Sequence, residues 1–208
     1  MPGAGFSSSF EVIPADSEAG IGPAAAADCE RIFQSWWGQP VNTITAAGFI
    51  VAGGLIWWRR RDLPTALLIG SIGVGSIAFH GPMPAWGEFV HDLSIVLTLV
   101  WVLLVDLKRQ HLWPFGFAFG AAGSVTPVLA DPAQAVLAVA AIAAIVVPRE
   151  KRPLRLTAVA ILAAGGLIGT LSRTGGPLCD PNSIWQGHGF WHLAAAVALT
   201  LWGLQIRP

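Results

Sequence analysis

Apolar residues along this chain gather into long runs that short polar or turn-forming breaks separate. Each run is roughly 17–22 residues long, enough for a helix to cross the ~30 Å hydrocarbon core of a bilayer. The fifth run is short and Ala-rich, and is therefore the least defined. The pattern predicts an all-α integral membrane protein with seven spans, at about 41–58, 63–80, 88–107, 112–130, 133–148, 154–171 and 184–205.

Basic residues are concentrated in the breaks after the first, third and fifth runs and at the C-terminal tail. The chain has 12 Lys and Arg, and all but Arg31 and Arg173 fall on one predicted side. Short loops rich in Lys and Arg stay cytoplasmic, so we expect the N-terminus outside and the C-terminus inside. The cytoplasmic set is Arg59, Arg60, Arg61, Lys108, Arg109, Arg149, Lys151, Arg152, Arg155 and Arg207.

Composition supports the membrane assignment and excludes other classes. The chain is 54% hydrophobic and 12% charged, with a mean hydropathy of +0.62, which is too apolar for a soluble domain of this size. No basic surface remains for a nucleic acid. Residues 1–27 lack a basic segment followed by a long apolar core, so we expect a flexible tail and not a cleavable signal peptide. Residues 28–208 form the predicted membrane domain.

The two cysteines fall on the same predicted side of the membrane. Cys29 precedes the first span and Cys179 lies between the sixth and seventh, both on the oxidising, non-cytoplasmic side where disulfides persist. A Cys29–Cys179 bridge would tie the N-terminal segment to the start of the seventh helix. The alternative is two unpaired thiols.

Ionisable residues gather at one end of three predicted spans. His80 ends the second span, His91 and Asp92 open the third, and His188 and His192 open the seventh. Because successive spans alternate in direction, all of these ends lie on the outer side at similar depth. Polar groups inside spans are costly and usually mark function.

The spacing of these residues points to a metal. His188 and His192 are four residues apart and share a helix face, as do Ser76 and His80. Three imidazoles with a fourth position open to water are typical of catalytic zinc, which lowers the pKa of bound water to about 7. Asp92 has no basic neighbour in the sequence to neutralise it, which also favours a cation. Taken singly, each histidine is also explained by an ordinary hydrogen bond to a carbonyl oxygen, and Ser76 by close helix packing.

These residues resemble the motifs of a known family. Ser76 and His80 in the second span, Asp92 in the third and His188 and His192 in the seventh are similar to the motif set of the alkaline ceramidases. These belong to a superfamily of seven-span membrane hydrolases that includes the adiponectin and progestin receptors. The N-terminal "DCERIFQSWWGQPVNT" resembles the ceramidase branch, and the resemblance extends from about residue 28 onward.

The resemblance implies zinc held by His80, His188 and His192, with Asp92 acting on the zinc-bound water and Ser76 assisting the oxyanion. The general chemistry of such groups agrees with these roles. From helix geometry, His91 points about 100° away from Asp92 and would at most support the site, and Glu88, one turn before Asp92, would lie at its mouth. The animal family members resemble a calcium-binding arrangement around the N-terminal Cys-Glu. Here only Asp28 and Glu30 remain as donors, with Gln39 where a Glu is expected, which argues against calcium dependence.

The expected activity is hydrolysis of the amide of ceramide or a related N-acyl lipid, within sphingolipid metabolism. The expected location is a bacterial inner membrane, with the site towards the non-cytoplasmic side. A membrane lipid is the expected partner, without a nucleic acid or an obligate protein partner. The alternatives are a zinc hydrolase of another lipid amide or ester, a non-catalytic seven-span lipid receptor, and a transporter with a structural metal.

Overall fold

The computed structural model describes residues 23–125, 127–146 and 153–206, and this part of the chain is all-α as predicted. Most of the predicted tail, residues 1–22, and the basic residues Arg149, Lys151, Arg152 and Arg207 lie outside the described residues. The α-helices are α1 (Pro23–Ala26), α2 (Pro40–Arg60), α3 (Leu63–His80), α4 (Gly87–Asp106), α5 (Trp113–Ser124), α6 (Pro127–Val146), α7 (Pro153–Leu171) and α8 (Gly187–Gly203).

Four of these helices, α2, α3, α4 and α7, are long and apolar enough to cross a membrane. Several of their large apolar side chains face outward, including Val51 on α2 and Leu67 on α3, which are 69% and 63% exposed. Apolar surface of this kind is rare on soluble monomers and marks contact with a membrane or a partner. The membrane character predicted from hydropathy is therefore confirmed at the level of these four helices.

The boundary between α5 and α6 differs from the sequence prediction. The fourth run was expected to continue to residue 130 and the next to begin at 133, but α5 ends at Ser124 and α6 begins at Pro127. Proline fits the first turn of a helix because its missing N–H needs no partner there. The "DPAQ" sequence at 131–134 was expected to break the chain, yet α6 continues through Pro132.

Short turns set α2 and α3 side by side. Arg61 takes a left-handed conformation, with φ of 56°, and ends α2, while the Asp62 side chain accepts a hydrogen bond from the Thr65 N–H and caps α3. The start of α2 and the end of α3 therefore lie together. This places His80 beside the segment that precedes α2.

The bundle is held by close helix packing. Helix α2 packs against α3 and α8, α4 against α3, α5 and α6, and α7 against α8, whereas α6 and α7 meet only sparsely. A Cβ at Gly73 would lie 2.9 Å from the Ala46 carbonyl oxygen, and one at Gly165 would lie 2.3 Å from the Ala194 Cβ. The Gly-rich runs that contain Gly73 and Gly165 are thus packing surfaces.

Candidate metal centre

Three histidines meet where α3 ends and α8 begins. One ring nitrogen from each of His80, His188 and His192 lies within 4.8 Å of the others. Their ring centroids are 5.0 Å (His80–His188), 5.2 Å (His80–His192) and 4.5 Å (His188–His192) apart. His80 is fully buried and His192 nearly so. The structure therefore brings together the three residues that the sequence proposed as ligands.

The Nε2 atoms of these histidines are buried without a hydrogen-bond partner among the described residues. An unpaired buried polar atom costs roughly 1–3 kcal/mol. Three such atoms close together therefore indicate that a ligand binds between them. Each Nδ1 atom, by contrast, has an acceptor beside it. Because each Nδ1–H donates to its acceptor, the neutral rings present their Nε2 lone pairs to one another.

Gln39 orients His80. The Gln39 Oε1 atom lies 2.7 Å from the His80 Nδ1, and its Nε2 donates to the carbonyl oxygens of Ala25 and Glu30. The two donated bonds fix the amide so that its oxygen faces the imidazole. Gln39 is fully buried, and its side chain joins the N-terminal segment to the metal centre.

Asp28 orients His188. An Asp28 carboxylate oxygen lies 3.2 Å from the His188 Nδ1. The next residue, Cys29, forms the predicted disulfide with Cys179, with Cα atoms 5.7 Å apart. The Cys29 N–H also donates to the Thr174 hydroxyl. The loop between α7 and α8 thereby holds Asp28 in place against α8.

The start of α2 orients His192 and is itself capped by Glu30. The His192 Nδ1 lies 3.1 Å from the Asn42 carbonyl oxygen and 3.2 Å from the Thr45 hydroxyl. The Glu30 carboxylate accepts the N–H groups of Val41 and Asn42 at 2.7 and 2.8 Å. A carboxylate at this position satisfies free N–H groups and complements the positive end of the helix.

The donor set fits zinc better than a hard cation. Three imidazole nitrogens are typical of catalytic zinc, and metal-bound histidines usually donate their other N–H to a carboxylate or carbonyl oxygen. Asp28, Gln39 and the Asn42 carbonyl supply those acceptors. Calcium would require six to eight oxygens. The group can therefore hold a metal ion.

Asp92 and Ser76 lie in the same cavity as two of these histidines. The Asp92 carboxylate accepts hydrogen bonds from His91 Nδ1 and Gln134 Nε2, each 3.0 Å away. The sequence shows no basic neighbour for Asp92, and it did not predict Gln134 on α6 as a hydrogen-bond partner. The Ser76 hydroxyl is buried without a partner among the described residues.

The cavity that these groups line has a volume of about 460 Å³ and extends between α3, α4, α6, α7 and α8. Its polar side chains come from the ends of the helices nearest the histidines. The remainder is lined mainly by apolar side chains from farther along α4, α6, α7 and α8. The polar set includes Ser76, Glu88, Asp92, Gln134, Arg173 and His188.

His91, Glu88 and two tryptophans lie around this site. His91 packs on Phe79 with ring centroids 4.9 Å apart. Glu88 lines the cavity, as expected of a residue at its mouth. Trp185 is exposed, and Trp191 lines the cavity and contacts α7 at Gly169.

No protein-family model matches the sequence, and a search of curated proteins finds no similar one. The resemblance to the alkaline ceramidases stays a prediction from the motifs.

Proposed function

We propose that this protein is an intramembrane zinc-dependent amidohydrolase that cleaves the amide of ceramide or a related N-acyl lipid to a fatty acid and a long-chain amine. The observation that carries the proposal is the convergence of His80, His188 and His192, whose Nε2 atoms have no partner among the described residues, beside an apolar cavity that His188 and His192 line. Asp92 and Ser76 line the same cavity.

The proposal includes seven spans, among them α2, α3, α4 and α7, with the histidine end outside. Exposed tryptophans occur at both ends of the bundle, as they do at the two interfaces of a bilayer. Arg59 and Arg60 lie in the last turn of α2 and Arg61 follows it, at the opposite end from the histidines, which supports a cytoplasmic location for that end. The exposed tryptophans are Trp36, Trp37, Trp86 and Trp185 near the histidines, and Trp57, Trp58 and Trp113 at the other end.

His80, His188 and His192 would hold the zinc through Nε2. When bound, zinc polarises a carbonyl oxygen and lowers the pKa of a coordinated water. Asp28 and Gln39 keep the rings in the tautomer and orientation that binding requires. These acceptors raise the basicity of the ligand nitrogens.

Asp92 would act as the general base and acid. Its carboxylate takes one proton from the attacking water and passes it to the nitrogen of the leaving amine. The C–N bond breaks as a C–O bond to the water oxygen forms, so one water is consumed for each amide. His91 and Gln134 position the carboxylate, because each binds Asp92 through a hydrogen bond.

Ser76 would stabilise the oxygen of the amide carbonyl as negative charge develops on it. Its hydroxyl is buried, faces the cavity and has no competing acceptor among the described residues. A donor in a water-poor site is worth more than one in water.

A membrane lipid is the substrate class that this cavity favours. Its apolar part accepts acyl chains, and the sparse contact between α6 and α7 offers a lateral route from the bilayer. A substrate from the outer leaflet would then present its amide at the histidine end.

The test is product release from purified protein. Incubation with a mixture of N-acyl lipids and ester lipids, followed by lipid mass spectrometry, should show a fatty acid and a long-chain amine in equal amounts. Chelation should abolish release and added zinc should restore it. Release only from esters would identify another zinc hydrolase. Lipid binding without turnover would identify a receptor.

A further inference from the structure

We infer that Trp202 closes the inner end of the cavity and sets the length of the acyl chain that the site accepts. This inference rests on the proposed function for the identity of the substrate, but not for the existence of the chain-binding cavity. Trp202 lies near the end of α8, far from the histidines along the same helix.

One face of α8 runs the length of the cavity. Residues 188, 192, 195, 199 and 202 all line it, and their spacing of three or four keeps them on one side of a helix. At 1.5 Å per residue, the rise from His188 to Trp202 is about 21 Å. The same helix therefore supplies two metal ligands at one end of the cavity and a large aromatic side chain at the other.

Small side chains leave room between these two ends. Ala195 and Ala198 on α8 and Ala138 and Ala141 on α6 all line the cavity. Thr98 also lines this part, but its hydroxyl donates to main-chain carbonyl oxygens within the bundle. A ligand passing along this section meets apolar surface suited to methylene groups.

Trp202 packs against side chains of α4 and α6 at the inner end of the cavity. Trp202 packs with Val102, Ala141 and the partly buried Ile145, and all four line the cavity. Trp202 is 2% exposed. An extended acyl chain that begins at the metal centre would end against this group.

A buried polar network fixes Trp202. Its indole Nε1 donates to an Asp106 carboxylate oxygen at 2.7 Å, and the other Asp106 oxygen pairs with Arg155 on α7. The Asp106 side chain is 2% exposed. Because Asp106 is held by two helices, the indole cannot swing aside without breaking a buried charged hydrogen bond, which makes it a rigid stop.

The experiment measures binding of a series of saturated fatty acids of increasing length to the Asp92→Asn protein by native mass spectrometry. Each methylene buried in the cavity should tighten binding by about fourfold. Without a further substitution, the gain should stop at one chain length, the break, where the chain end meets Trp202. Trp202→Ala should move that break to longer chains, and Ala141→Leu should move it to shorter ones.

Trp101→Ala is the matched control. Trp101 packs beside the same cluster and donates its indole N–H to the Thr65 hydroxyl, but it does not line the cavity. The break should stay where it is in this variant. If Trp202→Ala does not fold, Ala141→Leu still tests the inference from the opposite direction.

The outcomes separate this inference from the proposed function. A break that does not move in Trp202→Ala or in Ala141→Leu overturns the role of Trp202, even if the wild-type protein hydrolyses lipid amides. If the break moves as expected in a protein without amidase activity, the role of Trp202 is supported and the proposed amidase function is excluded. In an active protein, the chain-length optimum for hydrolysis should shift with the break.

Discussion

The Asp28 carboxylate lies 3.2 Å from the His188 Nδ1, although the two residues are near opposite ends of the chain. Asp28 is followed by Cys29, whose φ of 66° turns the chain sharply. Three successive residues consequently reach three partners: Asp28 contacts His188, Cys29 bonds Cys179, and Glu30 caps α2. The segment before α2 therefore helps to position the histidine cluster.

The first prediction concerns the metal. Purified protein should carry about one zinc per chain, because three neutral imidazoles and a water complete a tetrahedral shell. His80→Ala, His188→Ala and His192→Ala should each lose it, as measured by elemental analysis. His111→Ala is the control, since His111 lies beyond α4 at the other end of the bundle. Full zinc occupancy in one of the first three variants would show that the substituted histidine is not a ligand.

The second prediction concerns Gln39 as a positioning residue. Gln39→Leu keeps the volume of the side chain but removes the acceptor of the His80 Nδ1 proton. Loss of such a partner typically lowers metal affinity about 10–100-fold. Competition with a zinc chelator of known affinity gives the measurement.

Gln186→Leu is the matched control for this change. Gln186 is also a buried glutamine that donates to two main-chain carbonyl oxygens, those of Asp180 and Ser183, but it contacts no ligand histidine. Both variants lose similar bonds, so they should be destabilised alike. Equal zinc affinity in the two variants would mean that Gln39 supports only the fold.

The ligand histidines could be predicted from the sequence because their signals are local. The i, i+4 spacing of His188 and His192 is visible within one helix, and alternating span direction places His80 at the same depth. The partners of these rings could not be predicted in this way. Asp28 and Gln39 precede the first span, and only the disulfide and the turn before α2 bring them to the imidazoles.

The position of α6 is a second feature that could not be predicted from the sequence. Proline in "DPAQ" is a common helix breaker, so the sequence favoured a break there. The helix continues through Pro132 and carries Gln134 to Asp92. Hydropathy cannot detect this contact, because Gln134 is a single polar residue between apolar stretches, and its partner lies on another helix.

The third prediction concerns the disulfide and the orientation of the chain. Treatment with a dithiol reductant, or the Cys29→Ser change, should free Asp28 from its anchor and weaken zinc binding.

A reporter fused after Arg207 should be cytoplasmic, and Cys29 and Cys179 should resist alkylation in oxidising conditions. Free reactivity of both thiols there would contradict the bridge, and an external reporter would reverse the proposed orientation.

The fourth prediction concerns pH. Burial raises the pKa of Glu30 above its ordinary value of 4.5, although the Val41 and Asn42 N–H groups oppose the shift. A raised folded-state pKa means that the folded protein binds this proton more tightly than the unfolded chain does. The contribution of Glu30 to stability is therefore full below the unfolded-state pKa, and is lost as pH rises through the folded-state pKa.

Glu30→Gln removes this titration. Thermal unfolding in detergent across the acidic range should show a weaker pH dependence of Tm in the variant than in the wild type. Asp62→Asn is the control, because Asp62 caps α3 at the other end of the bundle. An unchanged pH dependence in Glu30→Gln would show that Glu30 keeps the same protonation in both states.

The last prediction separates catalysis from metal binding. Asp92→Asn keeps the shape and polarity of the side chain but cannot accept a proton, so zinc should stay bound while turnover falls about 10²–10⁴-fold. Ser76→Ala should lose at most about 2.7–4 kcal/mol of transition-state stabilisation, and less where zinc shares the charge. Ser94→Ala is a matched control, since the buried Ser94 hydroxyl donates to the His91 carbonyl oxygen and does not line the cavity. Fatty acid release at the wild-type rate by Asp92→Asn would exclude the proposed hydrolytic mechanism. Loss of zinc together with activity would instead make Asp92 a metal ligand or a residue that orients one.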